Sequence, residues 1–474
     1  MKKTRVICLV LALLMMLSLF AACTDKPAAD TEEVSATEEA KIVLSLGIYP
    51  EPTNEAAVNV METQIARYQE LYPNVEVIGA DAQYKYAPDT FIPLAEAGTV
   101  PTIFESWFTE PQKLIANGWV RDITDLLAAR GWLDKINPSI RALLSDANGR
   151  VYGIPRDGYA LGLHCNVELF EEAGLRNDDG SIQYPKTWTE LAETGKKIKD
   201  ATGAAGLCLL AQDNAGGWNW SNIAWAFGAE LVTVENGKFV AHLDSPEAIA
   251  AMEFTKSLKW EYDILTEDPT VEGWGTGFAQ VGTGNCAMYI GANDAVEQTT
   301  KNNGLAVESF VLAPMPGEKK QFSLSGGTQY MFAPNATDEE VNAALDFLVI
   351  MGKSPEVTDD AIAGMRADAQ TKVADGVPVI PRFPCWVNSN AQAEEDKIVA
   401  EFKNVEDWQF ADYFKKVSEP GNLHLEEVGD TQEMYRELTA VLQAVVTDKN
   451  ADVAALLKVA NDNYQEILDS GLNK

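Results

Sequence analysis

The sequence predicts an α/β fold, because short strand-like runs alternate with segments that have the periodicity of amphipathic helices. Residues 42–46 form an apolar-rich run bounded by Gly47 and Pro50, which is typical of a buried strand. Apolar residues then recur at helical spacing as far as Tyr68, and residues 75–78 form a second strand-like run. This strand–helix–strand order predicts a parallel sheet with helices packed on its faces.

The same alternation continues along the chain. Residues 102–104 predict a third strand, and residues 111–117 predict a helix after it. Two amphipathic helices are predicted near the C-terminus, over residues 434–445 and 453–468. Capping signals open three further helices, at Thr187 with Glu190, at Ser245 with Pro246, and at Thr337 with Glu340.

Two glycine-rich segments, 213–217 and 273–277, are predicted to be loops. Trp218 and Trp220 follow the first segment, and Trp274 lies within the second. A tryptophan in such a loop is hard to explain by core packing alone. These side chains are therefore candidates for contact with a ligand.

The N-terminal segment has the pattern of an export signal. A basic start is followed by an apolar run of about 15 residues that ends at Phe20, and Ala21-Ala22-Cys23 comes next. We expect residues 1–22 to be a lipoprotein signal peptide, Cys23 to carry the lipid, and residues 23–40 to be a disordered tether. Secretion without a lipid and a retained membrane anchor are the alternatives.

The charge of the chain limits its partners. The formal net charge is −34, and removal of the three basic residues of the signal would leave −37. Such a surface repels nucleic acid and anionic lipid headgroups. We therefore expect no nucleic-acid partner, contact with the membrane only through the lipid on Cys23, and a monomeric protein on the outer face of the cell membrane.

Cysteine and histidine usage indicates neither a metal site nor a cofactor. Four cysteines follow Cys23 at wide spacings in apolar surroundings, so we expect buried free thiols, with one or two disulfides as the alternative. The three histidines are isolated from one another, which argues against zinc. Residues 177–181 lack the full spacing of a calcium loop, and a plain turn is expected there. The four cysteines are Cys165, Cys208, Cys286 and Cys385.

Several segments occur in an order that is typical of one protein family. Residues 166–175 contain Asn…Ala-Gly-Leu and are followed by Pro-Lys-Thr-Trp at 185–188, which is the most specific combination. Residues 67–77, 94–104 and 148–155 precede them in the expected order. From about residue 41 to its C-terminus the chain resembles the sugar-type substrate-binding lipoproteins of bacterial ABC importers. These form extracellular solute-binding family 1, which includes the maltodextrin-binding proteins.

The resemblance implies a two-lobed periplasmic-binding-protein fold of type II, with a ligand cleft between the lobes and closure about a hinge. Lobe I would comprise residues 41–156 with 323–376, and lobe II residues 157–322 with 377–474. The family also implies binding without catalysis and delivery of the ligand to the transmembrane subunits of an ABC permease.

Sugar binding would need aromatic rings for the apolar faces of the ligand and hydrogen-bonding side chains for its hydroxyl groups. The aromatic candidates are Tyr49, Trp107, Tyr159, Trp218, Trp220, Trp274, Tyr330 and Trp386. The polar candidates are Glu51, Glu105, Asp157, Asp213, Asn219, Asn293, Asp294, Gln329 and Arg382.

The expected function is capture of a carbohydrate, preferably an oligosaccharide, for import. One alternative is the same receptor role for a non-neutral solute, namely an acidic sugar, a polyamine or a peptide. A remote alternative is an exported glycoside hydrolase, which would need two carboxyl groups about 5–10 Å apart across the sugar.

Overall fold

Alternating strands and helices build the part of the chain that the computed structural model describes, which is residues 41–79, 86–419 and 421–474. The expected signal peptide 1–22, tether 23–40 and lipid site Cys23 lie outside the described residues. The strands are β1 Ile42–Gly47, β2 Val75–Gly79, β3 Ile103–Trp107, β4 Gly153–Asn166, β5 Ala205–Cys208, β6 Val232–Glu235, β7 Lys238–Ala241, β8 Cys286–Ala292, β9 Phe310–Ala313, β10 Ser323–Phe332 and β11 Leu423–Leu425.

The helices surround these strands. They are α1 Glu55–Leu71, α2 Pro88–Ala97, α3 Pro111–Ala116, α4 Thr124–Ala129, α5 Pro138–Leu143, α6 Val167–Glu172, α7 Trp188–Thr202, α8 Asp213–Ala226, α9 Pro246–Trp260, α10 Trp274–Gly282, α11 Val296–Thr299, α12 Asp338–Ile350, α13 Asp359–Ala374, α14 Asn390–Phe402, α15 Ala411–Ser418, α16 Thr431–Thr447 and α17 Val453–Ser470. Short 3-10 helices occur at Leu133–Lys135, Pro269–Val271, Asn293–Ala295, Val307–Ser309 and Asp407–Gln409. None of the helices within the described ranges is long and apolar enough to cross a membrane.

Nine strands form one mixed sheet in the order β2-β1-β3-β10-β4-β8-β5, with β11 beside β10 and β9 beside β4. β1 is parallel to β2 and β3, as the strand–helix–strand order predicts. β10 is antiparallel to β3 and β4, and β4 is antiparallel to β8. The expectation of a parallel sheet is therefore correct for β1, β2 and β3 but not for β10 and β4. Neighbouring parallel strands need a crossover connection, which is usually a helix, and no single crossover helix joins β3, β4 and β10.

The fourteen-residue strand β4 changes partners along its length. Up to Ala160 it pairs with β10, and from Leu161 it pairs with β8. At this change the side-chain oxygen of Asn293 accepts a 3.1 Å hydrogen bond from the backbone N–H of Ala160. One strand thus joins the β10 part of the sheet to the β8 part.

Most of the predicted elements are present. β1, α1, β2, β3 and α3 lie where the sequence predicts them, and both C-terminal helices are confirmed. At α12 the full capping box forms between Thr337 and Glu340. At α7 Thr187 caps the backbone N–H of Glu190, but the Glu190 carboxylate accepts a 2.7 Å bond from the backbone of Lys186 instead of Thr187.

The loop prediction for the two glycine-rich segments is wrong, because both are helical. In α8 the glycines allow close helix packing: a Cβ on Gly217 would lie 2.2 Å from the carbonyl oxygen of Tyr435 in α16. The backbone N–H of Gly217 also donates a 2.8 Å bond to Thr439. In α10 a Cβ on Gly277 would lie 2.2 Å from the ring of Tyr289. These glycines therefore serve close contact rather than chain reversal.

The four cysteines after Cys23 are buried and free, which confirms the first expectation for them. Residues 177–181 form a turn in which Asp179 accepts bonds from the backbone and hydroxyl of Ser181, at 3.0 and 2.6 Å. Within the described residues no three His, Cys, Asp or Glu side chains are placed to hold a metal ion together.

Candidate functional site

A cavity of about 330 Å³ opens where β3, β4 and β10 meet α8 and α16. Its wall combines aromatic rings, carboxyl groups and neutral polar side chains. A volume of this size falls within the range of about 300–1,000 Å³ that is usual for small-molecule sites. The rings belong to Trp107, Tyr159, Trp218 and Tyr435, and the carboxyl groups to Asp157, Asp294 and Glu426.

The aromatic side of the cavity is held by contacts from behind. Trp107 ends β3, its ring makes an edge contact with Tyr86 at 5.5 Å, and its carbonyl oxygen accepts a 2.9 Å bond from Gln329. Tyr159 and Trp218 meet edge to face, with ring centroids 6.3 Å apart. The rings are thereby fixed before any ligand arrives, which lowers the entropic cost of binding.

Glu426 is the most deeply buried carboxyl group of the cavity, with 7% of its surface exposed. The hydroxyl of Tyr435 donates a 2.9 Å hydrogen bond to it. Burial raises the pKa of Glu426 to about 7, and the nearby charge of Glu110 adds to this, whereas hydrogen bonds from Tyr435, Tyr159 and Trp218 oppose it. The group therefore titrates near neutral pH.

Asp157 and Asp294 lie nearer the opening and differ in their partners. Asp157 accepts bonds from the hydroxyl and the backbone N–H of Thr328, and Arg156 lies 3.3 Å from it. Arg156 also pairs with Glu105 at 2.8 Å. The pKa of Asp294 is raised to about 6, mainly by loss of solvation and further by the charge of Asp157. Asp294 nonetheless remains exposed to solvent, and it has no cationic side-chain partner among the described residues.

A glycine makes room for the deepest part of the cavity. A Cβ on Gly326 of β10 would lie 2.3 Å from the hydroxyl oxygen of Tyr159 and 2.8 Å from a carboxyl oxygen of Glu426. Real side chains do not tolerate contacts this short. The position must therefore be glycine for Tyr159 and Glu426 to stand where they do.

Another depression, of about 570 Å³, lies near the turn 177–181. Its polar groups already bind one another: Tyr184 donates a 2.6 Å bond to Asp412, and Lys186 lies over the Tyr184 ring at 4.3 Å. Trp408 is the one tryptophan that lines it. The smaller cavity is lined by four aromatic rings, whereas the larger depression has only those of Tyr184 and Trp408, so the smaller cavity is the stronger candidate.

Five of the residues that the sequence singles out line the smaller cavity together, and three more support it from behind. Glu105 neutralises Arg156, Gln329 holds Trp107, and Asn293 holds the backbone of β4. The five lining residues are Trp107, Asp157, Tyr159, Trp218 and Asp294.

Four other candidates are buried in the hydrophobic core instead, because each has packing or hydrogen-bonding partners there. Trp220 is fully buried and donates a 3.0 Å bond to Thr255, and Trp386 packs edge to face on Trp132. Asn219 and Tyr330 are also buried.

The remaining five candidates lie outside the wall of the cavity. Trp274 is 49% exposed, and Arg382 pairs with Asp368 at 3.2 Å and with Glu395 at 3.1 Å. The hydroxyl of Tyr49 donates to Glu62. These five are Tyr49, Glu51, Asp213, Trp274 and Arg382.

Sequence reasoning missed several lining residues. Glu426 had a usable signal, because it and Glu427 are consecutive acids within the stretch 423–428, whose other residues are three apolar side chains and His424. Tyr435 lies on the apolar face of α16, where a core role is the natural interpretation. The lining residues that were not predicted are Thr109, Asn214, Ala215, Gly327, Thr328, Glu426, Gln432 and Tyr435.

Comparison with known proteins agrees with this architecture. The sn-glycerol-3-phosphate-binding periplasmic protein UgpB of Yersinia enterocolitica is 29% identical to this chain over 175 residues. The matched segment is 36% of this chain and 35% of that relative, so this chain spans about a third of the length of the relative. UgpB from Mycobacterium tuberculosis in complex with glycerophosphocholine superposes with a TM-score of 0.66 at 18% identity, over 92% of this chain and 100% of that one.

Maltose-bound MalE3 of T. maritima has a TM-score of 0.64 at 17% identity and covers 90% of this chain and 99% of its own. At this identity the two structures establish the shared two-lobed fold. The family described as bacterial extracellular solute-binding protein matches residues 52–354, which is more than half of the chain. The chain therefore belongs to the bacterial extracellular solute-binding protein family.

Proposed function

We propose that this chain is the receptor of an ABC importer and that it captures a carbohydrate, preferably an oligosaccharide, in the cavity between β4 and α8. The observation that carries the proposal is the combination of four aromatic rings with hydrogen-bonding side chains in one cavity. Rings cover the apolar faces of a sugar, while carboxyl, amide and hydroxyl groups bind its hydroxyls. Maltose is bound in one structure of the same fold, and cyclic α-maltosyl-1,6-maltose is the named ligand of another.

We further propose that the cavity lies between two lobes that close on the ligand. Lobe I comprises residues 41–156 with 323–376, and lobe II residues 157–322 with 377–474. The change of partner within β4 supports this division, since the strand passes from one group of strands to the other. Closure would bring further predicted residues toward the ligand.

Extracellular solute-binding proteins act outside the cytoplasm. We propose that this one is a monomer held at the membrane by a lipid on Cys23 and that it hands its ligand to permease subunits. The basic, apolar and small-residue order of the first 23 residues supports lipidation. Metabolic labelling with a fatty acid tests it: Cys23→Ala should lose the label and release the protein from the membrane, whereas retained label would contradict this assignment.

We propose that the chain does not alter the sugar. Three carboxyl groups line the cavity, so a glycoside hydrolase remains the alternative to test. Product analysis after prolonged incubation with maltooligosaccharides should return the sugar intact. Shorter products that disappear in Glu426→Gln would establish hydrolysis instead.

Thermal unfolding in the presence of mono- and oligosaccharides tests the central proposal. A ligand at 100 times its dissociation constant should stabilise the fold by about 2.7 kcal/mol. Titration calorimetry of the sugars that raise the melting temperature should give one site per chain. A shift with a polyamine or a peptide but with no sugar would contradict the proposal.

A further inference from the structure

The wall of the cavity has a one-sided charge. Asp157, Asp294 and Glu426 line it, and no lysine or arginine side chain among the described residues does so. Arg156 divides its charge between Glu105 and Asp157, the charge of Lys353 also acts on Asp157, and Lys113 pairs with Asp430 at 3.1 Å, so no cation is paired with Asp294 or Glu426 among the described residues. The potential inside the cavity is therefore negative.

The three carboxyl groups line the same cavity as the ring of Tyr159. The Tyr159 hydroxyl and a carboxyl oxygen of Glu426 both lie beside Gly326. Burial raises the pKa of Tyr159, and the charges of Glu426, Asp294 and Asp157 raise it further. Tyr159 in turn meets Trp218 edge to face. Carboxylates beside aromatic faces form a favourable environment for an organic cation, since both attract positive charge.

A neutral sugar would not balance this environment. Its hydroxyl groups would donate hydrogen bonds to Asp294, which accepts none from another side chain among the described residues, but they would bring no positive charge to offset the burial of that carboxylate. The dianionic phosphate of sn-glycerol 3-phosphate, which is named for the Yersinia relative, would be repelled by the same groups. A ligand that carries both hydroxyl groups and one positive charge fits the wall, because the polar side chains bind its hydroxyls and the carboxyl groups attract its charge.

We propose that the ligand is an amino sugar whose free, protonated amine lies among Asp157, Asp294 and Glu426. This inference rests on the proposed sugar-binding function and narrows its substrate class. The rings of Trp107 and Trp218 would cover apolar faces of the sugar, while the carboxyl groups receive the amine.

Calorimetric titration with matched sugars tests the inference. Glucosamine oligosaccharides with free amines are compared with their N-acetylated counterparts and with neutral cellooligosaccharides of equal length, and glycerol 3-phosphate serves as an anionic probe. We expect the free-amine sugar to bind more than tenfold tighter than either matched sugar and to lose affinity as salt is added.

Variants locate the effect. Asp294→Asn should remove most of the preference for the free amine over the neutral sugar. Glu426→Gln should act in the same direction. Asp178→Asn, which removes an exposed charge outside the cavity, is the matched control and should leave all affinities unchanged.

The outcomes separate the two proposals. Equal or tighter binding of a neutral or N-acetylated sugar overturns the amino-sugar inference and leaves the sugar receptor standing. Tight binding of glycerol 3-phosphate also overturns it. Absence of binding by every sugar in the panel contradicts the proposed function and, with it, this inference.

Discussion

The hydroxyl of Tyr435 donates a 2.9 Å hydrogen bond to the buried carboxyl group of Glu426. Tyr435 belongs to α16, and its backbone carbonyl is the group that Gly217 of α8 approaches. Tyr435 thus contacts both the neighbouring core helix α8 and the carboxyl group of Glu426 in the cavity. The position of Glu426 depends on how closely α8 and α16 pack, so site geometry and core packing are coupled here.

Glu426 makes the stability of the protein depend on pH. Its pKa is about 7 in the folded protein against an ordinary value of 4.5. The unfolded chain therefore loses this proton first, and the free energy of unfolding falls as pH rises from about 4.5 to about 7. Over this pH interval Glu426 should lower the free energy of unfolding by an amount on the order of 3 kcal/mol, and Glu426→Gln should abolish that loss. Urea unfolding followed at several pH values measures it.

A similar contribution should survive in that variant, because burial also raises the pKa of Glu427 to about 7. The pH profile of Glu426→Gln should therefore become shallower but not flat. Glu96→Gln, at an exposed position, is the control and should keep the original slope. An unchanged slope in Glu426→Gln would show that Glu426 is already ionised in the folded protein at low pH.

The architecture was largely predictable from the sequence, because local periodicity and capping chemistry act over a few residues. Thr337 with Glu340 specifies the start of α12 without help from the rest of the chain. The direction of β10 was not predictable in this way, since its partners β3 and β4 lie far from it in sequence. The helical state of 213–217 was missed for the same reason.

The site was predictable in part. Trp107 ends β3, where a local pattern suggests exposure to a ligand, whereas Tyr159 lies in the middle of β4. Trp218 and Trp220 look alike in sequence, yet α8 turns one toward the cavity and the other into the core. Glu426 reaches the site only through the path of the chain after β11. Which side chains face the cavity depends on packing between segments that are far apart in sequence, and a single sequence does not reveal that packing.

The contact between α8 and α16 makes a prediction about Gly217. A Cβ there would lie 2.2 Å from a backbone oxygen, so Gly217→Ala should force the helices apart and destabilise the fold by about 1–3 kcal/mol or more. Gly275→Ala is the matched control, since nothing lies within 4 Å of a Cβ on that helical glycine. Because Gly275 lies in the first turn of α10, this substitution should change the stability little. Thermal unfolding of both variants measures the contrast, and equal melting temperatures would contradict the close contact.

Trp218 and Trp274 should differ in their effect on ligand affinity. Trp218 lines the cavity and Trp274 does not, although the sequence makes both candidates. Trp218→Ala should weaken sugar binding at least tenfold, which is about 1.4 kcal/mol, because it removes a stacking surface. Trp274→Ala should change the dissociation constant little. Titration calorimetry measures both, and a larger loss in Trp274→Ala would mean that the ligand binds outside this cavity.

Replacement of Gly326 should reduce sugar affinity with little effect on the stability of the fold. An added Cβ would meet the hydroxyl of Tyr159 at 2.3 Å and the carboxyl group of Glu426 at 2.8 Å. Both are ends of side chains, so Gly326→Ala should displace them rather than unfold β10, and sugar affinity should fall at least tenfold. Gly364→Ala, where nothing lies within 4 Å, is the control. Calorimetry and thermal unfolding separate the effects: lost affinity with a nearly unchanged melting temperature supports the assigned cavity, whereas unchanged affinity would remove Tyr159 and Glu426 from the binding site.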